Sequence, residues 1–89
     1  MTIWVAVLDV SPATAQKISG RHHISEHEIR DAVQCVSGLR YTWHEHPTRG
    51  RRAIIEVFIR EERVLVVLYP RVDPFGDAWF LGSAYPISS

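Results

Sequence analysis

Residues 39 to 69 constrain the fold more than any other part of the chain, because they hold three successive segments with the patterning of β-strands. In LRYTWHEH (39–46), Leu39, Tyr41 and Trp43 fall on one face while Arg40, Thr42, His44 and His46 fall on the other. RAIIEVFI (52–59) continues as a second strand, with Arg52, Glu56 and Arg60 on its polar side, and HPTRGR between them supplies Pro and Gly for a turn. RVLVVLY (63–69) is apolar without interruption, as expected of a central strand covered on both faces, and a tight turn near Glu61 and Glu62 leads into it. Strands joined by turns this short pair antiparallel. The pattern therefore predicts a sheet with one core face and one wet face.

The flanking segments complete the order β-α-α-β-β-β-β. Residues 2–9 are rich in β-branched and aromatic types and read as one well-buried strand. Ser11 and Pro12 look like an N-cap and N1 proline of a short helix that Gly20 ends. A second helix over 26–36 is announced by Ser25 and Glu28 in the S-x-x-E relation of a capping box, carries Ile29, Ala32, Val33 and Val36 as one apolar stripe, and is closed by Gly38. After the loop PRVDPFGD a last strand, AWFLGSAY, leads to Pro86 and a short polar tail. The expected fold is a single α+β domain over 1–89, two-layered, with two helices on one face of a mostly antiparallel sheet. The run Val64–Tyr69 is expected to be its most buried strand.

Composition limits the function. The chain carries a formal net charge of +0 and 46% hydrophobic residues, a globular profile in which any nucleic-acid binding needs a local basic patch. One cysteine, Cys35, excludes an internal disulfide and suits a reducing compartment. The opening apolar stretch is too short to span a bilayer and lacks the basic flank of a signal peptide, so a cytoplasmic protein without membrane contact is expected.

The wet face of the sheet carries the chemistry. Counting back from a turn at 47–51 puts His46 opposite Arg52 and Thr42 opposite Glu56, with His44 between them. RNA cleavage through the 2′-hydroxyl needs a group to take that proton, a group to protonate the leaving oxygen, and cations for the phosphorane. His44, His46, Arg52 and Glu56 are the candidate catalytic set, metal-independent and without cofactor. Arg40, Arg49 and Arg51 are candidates for gripping phosphates, as are Arg21 and His23 beside His22 at the start of the second helix. His44-x-His46 also has a metal-ligand spacing, but no third ligand supports it and no metal site is assigned. Ordinary solvated polar residues on a half-buried sheet account for the same pattern. Trp4, Trp43 and Trp79 read as core; Trp79 and Phe80 must point to opposite faces, so one covers the face away from the helices, as an apolar patch, an oligomer contact or a surface on which a base stacks.

HISEHEIRDAV resembles the box before the second helix of RelE-like and BrnT-like toxins and of a related family of uncharacterised domains, and RVLVVLYP followed by FLGSAYP resembles their last two strands. The resemblance covers roughly residues 11–86. It implies a RelE-like fold and an endoribonuclease that acts as the toxin of a type II toxin–antitoxin pair, neutralised by an antitoxin protein seated on the sheet or its edge. The chain departs from that pattern where Phe80 and Tyr85 stand in place of final-strand arginines. That departure and the net neutrality favour an alternative, a non-catalytic protein of the same fold that works by protein–protein contact; a homodimer is open under either.

Overall fold

The apolar stretch at residues 2–9 does not form one strand. In the computed structural model, which describes residues 2–72 and 75–87, it is divided into β1 (Thr2–Ile3) and β2 (Val7–Asp9). The remaining elements are α1 (Pro12–His22), α2 (Glu26–Val33), β3 (Leu39–His46), β4 (Gly50–Ile59), β5 (Glu62–Pro70) and β6 (Ala78–Pro86). The six strands lie in the order β1-β3-β4-β5-β6-β2, antiparallel throughout except for the parallel pair of β2 with β6. β1 and β2 thus occupy opposite margins of one sheet.

That placement forces the sheet to curl. Ile3 and Val7 are joined by a span that reaches at most about 14 Å, whereas six flat strands would put the margins about 24 Å apart. The margins must approach until residues 4–6 can cross between them. Val5, in the crossing, is fully buried, bridges to Gln34 and accepts from the Cys35 N–H at 2.8 Å, and the Ala6 N–H donates to the Asp77 carbonyl at 2.9 Å. The same curl brings the rings of Trp43 on β3 and Trp79 on β6 to 6.0 Å although β4 and β5 intervene. Ala53, fully buried between them in the strand order, leaves the space they use.

The helices begin as their sequences direct and end differently. Ser11 caps α1, with Pro12 in its first turn, and the Ser11 side chain accepts from the Thr14 N–H at 3.1 Å. The helix runs through Gly20 to His22, because His23 takes the left-handed cap position at φ 57° and its N–H reaches the Ser19 carbonyl. The capping box of α2 is formed in both directions: Ser25 Oγ accepts from the Glu28 N–H, and Glu28 Oε1 from the Ser25 N–H. α2 stops at Val33 instead of 36, since Gln34 is drawn into its bridge with Val5 and Cys35 adopts φ 57°.

α2 packs on β4, and α1 packs along β6. Ile18 of α1 joins the core, yet His22 lies 6.5 Å from Tyr85, which points out of the opposite face. α1 therefore flanks the sheet margin, a correction to the expectation of both helices on one face. Its register beside β6 follows from β2, whose pairing with Ala78–Phe80 fixes where the chain turns into the helix.

The inner face is formed by Ile55, Val57, Val64, Val66, Leu68, Trp79 and Leu81, and β5 between β4 and β6 is the most buried strand, as its apolar run requires. Arg60 and Glu61 make the β4–β5 turn with φ 53° and 64°, the left-handed pair of a two-residue hairpin usually given to Asn and Gly. Two contacts offset the strain: Arg60 pairs with Glu28 at 2.7 Å and donates to the His23 carbonyl at 2.7 Å. The turn and the start of α2 are held by the same guanidinium. Of the loop expected over 70–77, Asp73 and Pro74 lie outside the described residues, as do Ser88 and Ser89 of the polar tail.

Ser25→Ala should lower stability by about 1 kcal/mol through loss of the cap, read as a lower thermal midpoint. The Ser25 backbone hydrogen bond, with help from Arg60, holds the Glu28 carboxyl below its ordinary range. A carboxyl depressed in the folded state stabilises at neutral pH and loses that contribution as pH falls through its folded value. Melting points should therefore drop on acidification below the ordinary carboxylate range, and Glu28→Gln should flatten that dependence.

Candidate nucleic-acid interface

Strand register decides which polar residues meet on the outer face. His44 stands opposite Arg52, and the pair Ala53↔Leu68 places Arg52 beside Tyr69 one step further on. Tyr69 stands opposite Phe80, and Phe80 opposite Asp9. One transverse row therefore crosses five strands as His44, Arg52, Tyr69, Phe80 and Asp9, with about 14 Å of sheet between its first and fourth members. The next row is Thr42, Ile54, Val67 and Ser83, and the one beyond it Glu56, Leu65 and Tyr85. Basic and aromatic groups gather at the β3–β4 hairpin end; at the other end Phe58, Leu65 and Tyr85 lie beside Arg40 and the Glu56–Arg63 ion pair.

The hairpin itself corrects the expected pairing. Its turn is Pro47–Thr48–Arg49, with Gly50 at φ 81° already opening β4, so His46 faces Gly50 and Thr42 faces Ile54. The cause is His46, whose Nδ1 accepts from the backbone N–H groups of Thr48 at 3.2 Å and Arg49 at 3.1 Å and clasps the shorter turn. That lone pair is spent on structure, which leaves Nε2–H as the group His46 presents. His46 is thus a donor at this site and its role as a base is taken away.

His44 has a different environment. Its Nδ1 accepts from Arg52 Nε at 3.2 Å, and the ring is exposed. This bond assigns the proton of the neutral ring to Nε2. Glu56 is clamped by Arg63, whose Nε and Nη2 donate to its two carboxylate oxygens at 2.9 and 3.1 Å. Those hydrogen bonds, ahead of the opposing effect of burial and the added attraction of the charges, hold the Glu56 carboxyl below its ordinary range. It is an anion neutralised by its neighbour and a weak base.

The proposed phosphate-gripping residues separate. Arg40 joins Thr42, Ile54, Glu56 and Leu65 around a recess of about 880 Å3 on the outer face, two rows from His44. Arg49 lines a shallower recess of about 420 Å3 with Thr14, Tyr69 and Phe80, directly beside the first row. Arg51 points to the inner face, because it alternates with Arg52, and lies 4.0 Å over the Trp43 ring. Arg21 and His23 sit exposed at the end of α1, away from the row. Among the described residues no three His, Cys, Asp or Glu side chains gather as metal ligands.

Two members of the site were not legible as such. Tyr69 closes a run that reads as buried on both sides, but its ring lies outward across Gly82, where a Cβ would come within 2.3 Å of Tyr69 Cε2. Gly82 is the extra residue of a bulge, between Leu68↔Leu81 and Val67↔Ser83. Arg71 follows β5, pairs with Asp9 and holds its guanidinium 5.8 Å from the Phe80 ring. Phe80, of the adjacent pair Trp79–Phe80, is the one that covers the outer face, at 46% exposure, while Trp79 is core.

No family model matches the chain, and no curated protein or solved structure is similar to it. The geometry alone carries the functional reading.

Gly82→Ala should push Tyr69 off its seat and lower stability by about 1–3 kcal/mol. In a Tyr69→Ala background the same change should be nearly neutral, so a double-mutant cycle in thermal or urea unfolding checks the contact. His46→Ala should cost about 1 kcal/mol through the two turn N–H groups it leaves.

Proposed function

We propose that the protein binds single-stranded RNA across the outer face of its sheet and cleaves it, as a small metal-independent endoribonuclease of the toxin type. The observation that carries this reading is the transverse row of an imidazole, a guanidinium and two aromatic rings on adjacent strands. Tyr69 and Phe80 offer flat surfaces for successive bases, the way sheet faces take unpaired RNA. Arg52, Arg49 and Arg71 supply the local positive charge that a neutral chain needs.

Cleavage runs through His44. When a phosphate takes Arg52, the imidazole Nδ1 that Arg52 occupied is released to accept the 2′-hydroxyl proton. The 2′-oxygen then bonds to phosphorus, Arg52 neutralises the phosphorane with a hydrogen bond from the His46 Nε2–H, and the P–O5′ bond breaks as the 5′-oxygen takes the proton back from the His44 imidazolium, directly or through water. Glu56 takes no part in proton transfer. The fold this implies is RelE-like, the setting cytoplasmic, and the neutralising partner an antitoxin protein that covers the same face. No helix among the described residues is long and apolar enough to cross a membrane.

The opposite end of the outer face favours a second reading. Phe58 is 66% exposed and Tyr85 37%, with Leu65 opposite Tyr85 and Arg63 opposite Phe58. Exposed rings set beside the Glu56–Arg63 ion pair suit protein–protein contact, and a non-catalytic protein would use them without the His44 row.

Expression should arrest growth, and purified protein should cleave single-stranded RNA. His44→Ala should lower the cleavage rate about 10²- to 10⁴-fold with unchanged melting behaviour. Tyr69→Ala or Phe80→Ala should weaken binding by about 1–3 kcal/mol for each base that loses its stack. With three arginines on phosphates, log affinity should fall against log salt with a slope near −2, about 0.7 for each contact. Protein that binds no RNA at low salt removes the proposal and leaves the Phe58 and Tyr85 end as the working surface.

A further inference from the structure

The curl of the sheet leaves a seam. Between β3 and β6, where β1 ends and the chain crosses to β2, a cleft of about 480 Å3 is lined by Trp4, Tyr41, Trp43, Phe75 and Trp79, with Arg71 at its edge. Tyr41 and Trp43 meet edge to face at 5.4 Å, and Trp43 and Trp79 lie 6.0 Å apart at 37°. Trp79 is 6% exposed, and its indole N–H has no hydrogen-bond partner among the described residues. A buried donor left without an acceptor is costly and points to a group that arrives from outside.

We infer that the seam cleft is a binding site for one nucleobase, a planar heteroaromatic ring whose carbonyl or ring-nitrogen acceptor takes the Trp79 N–H. Aromatic walls accept the faces of such a ring, and the cleft has the size of small-ligand sites. Arg71 lines the cleft and also stands over Phe80 on the outer face, so a phosphate held there would connect a base stacked on Phe80 with a base in the seam. The source of the base as a nucleotide of the bound strand rests on the RNA reading above; the ring chemistry of the cleft does not. A walled site with an unpartnered donor on a lining residue selects among bases, which the open row does not.

The test uses full-length protein labelled with ¹⁵N and titrated with the four nucleoside 5′-monophosphates and with the corresponding nucleosides. The indole N–H signal of Trp79, assigned by its loss in Trp79→Phe, should move saturably for at least one base, with unequal affinities among the four. Trp79→Phe should weaken that ligand about fivefold, the effect of one neutral hydrogen bond, read from quenching of the remaining tryptophan fluorescence. Arg71→Ala should weaken the monophosphate and leave the nucleoside unchanged. A Trp79 indole signal that stays fixed with all eight compounds, in protein that still binds RNA on Tyr69 and Phe80, overturns the cleft and spares the RNA reading. Movement of that signal in protein that binds no RNA upholds the cleft and removes the strand as its source.

Discussion

Everything in this molecule depends on the crossing from Ile3 to Val7. A strand of that composition, left whole, would add to one margin of the sheet and leave the other margin open. Divided, it pairs with both, and the short crossing pulls the sheet into a curl that buries Val5 and brings Trp43 against Trp79. The inner face becomes a core despite the modest size of the chain, and α2 needs to cover only part of it. The rest is closed by aromatic rings, which is why the seam is lined by them.

The curl also sorts the charges. Arg51 and Arg52 are adjacent in sequence and work on opposite faces, one over Trp43 and one beside His44. Glu56 could have cancelled the outer positive charge, but Arg63 binds it through both oxygens two rows away from His44. The hairpin end is left with three arginines, of which Arg71 shares an acid, Asp9. A chain with no net charge thereby carries a basic and aromatic surface at one place. At the far end of β4, Arg60 ties the β4–β5 turn to the start of α2.

Much of this was legible in the sequence, for local reasons. The Ser25–Glu28 box, the outward set of Arg40, Thr42, His44 and His46, and the buried Val64–Tyr69 run follow from propensity and period. Failures arose where a distant group decided the outcome. The division of residues 2–9 depends on pairing with β3 and β6; the end of α2 depends on Val5; the hairpin register moved by two residues because one His46 nitrogen closes the turn. Tyr69 was hidden because Val67 is 2% exposed on the same outward side, so the run shows no alternation to read. The parity of adjacent residues, by contrast, would have separated Arg51 from Arg52.

The central claim is that the row from His44 to Phe80 is where RNA lies, and a binding footprint tests it most directly. Short single-stranded RNA titrated into ¹⁵N-labelled protein should move the backbone and side-chain signals of His44, Arg52, Tyr69 and Phe80 together, in one saturable process, while signals of α2 and of Phe58 stay fixed. Shifts confined to α2 or to the Phe58, Leu65 and Tyr85 end of the face, with the His44 row silent, would contradict the account.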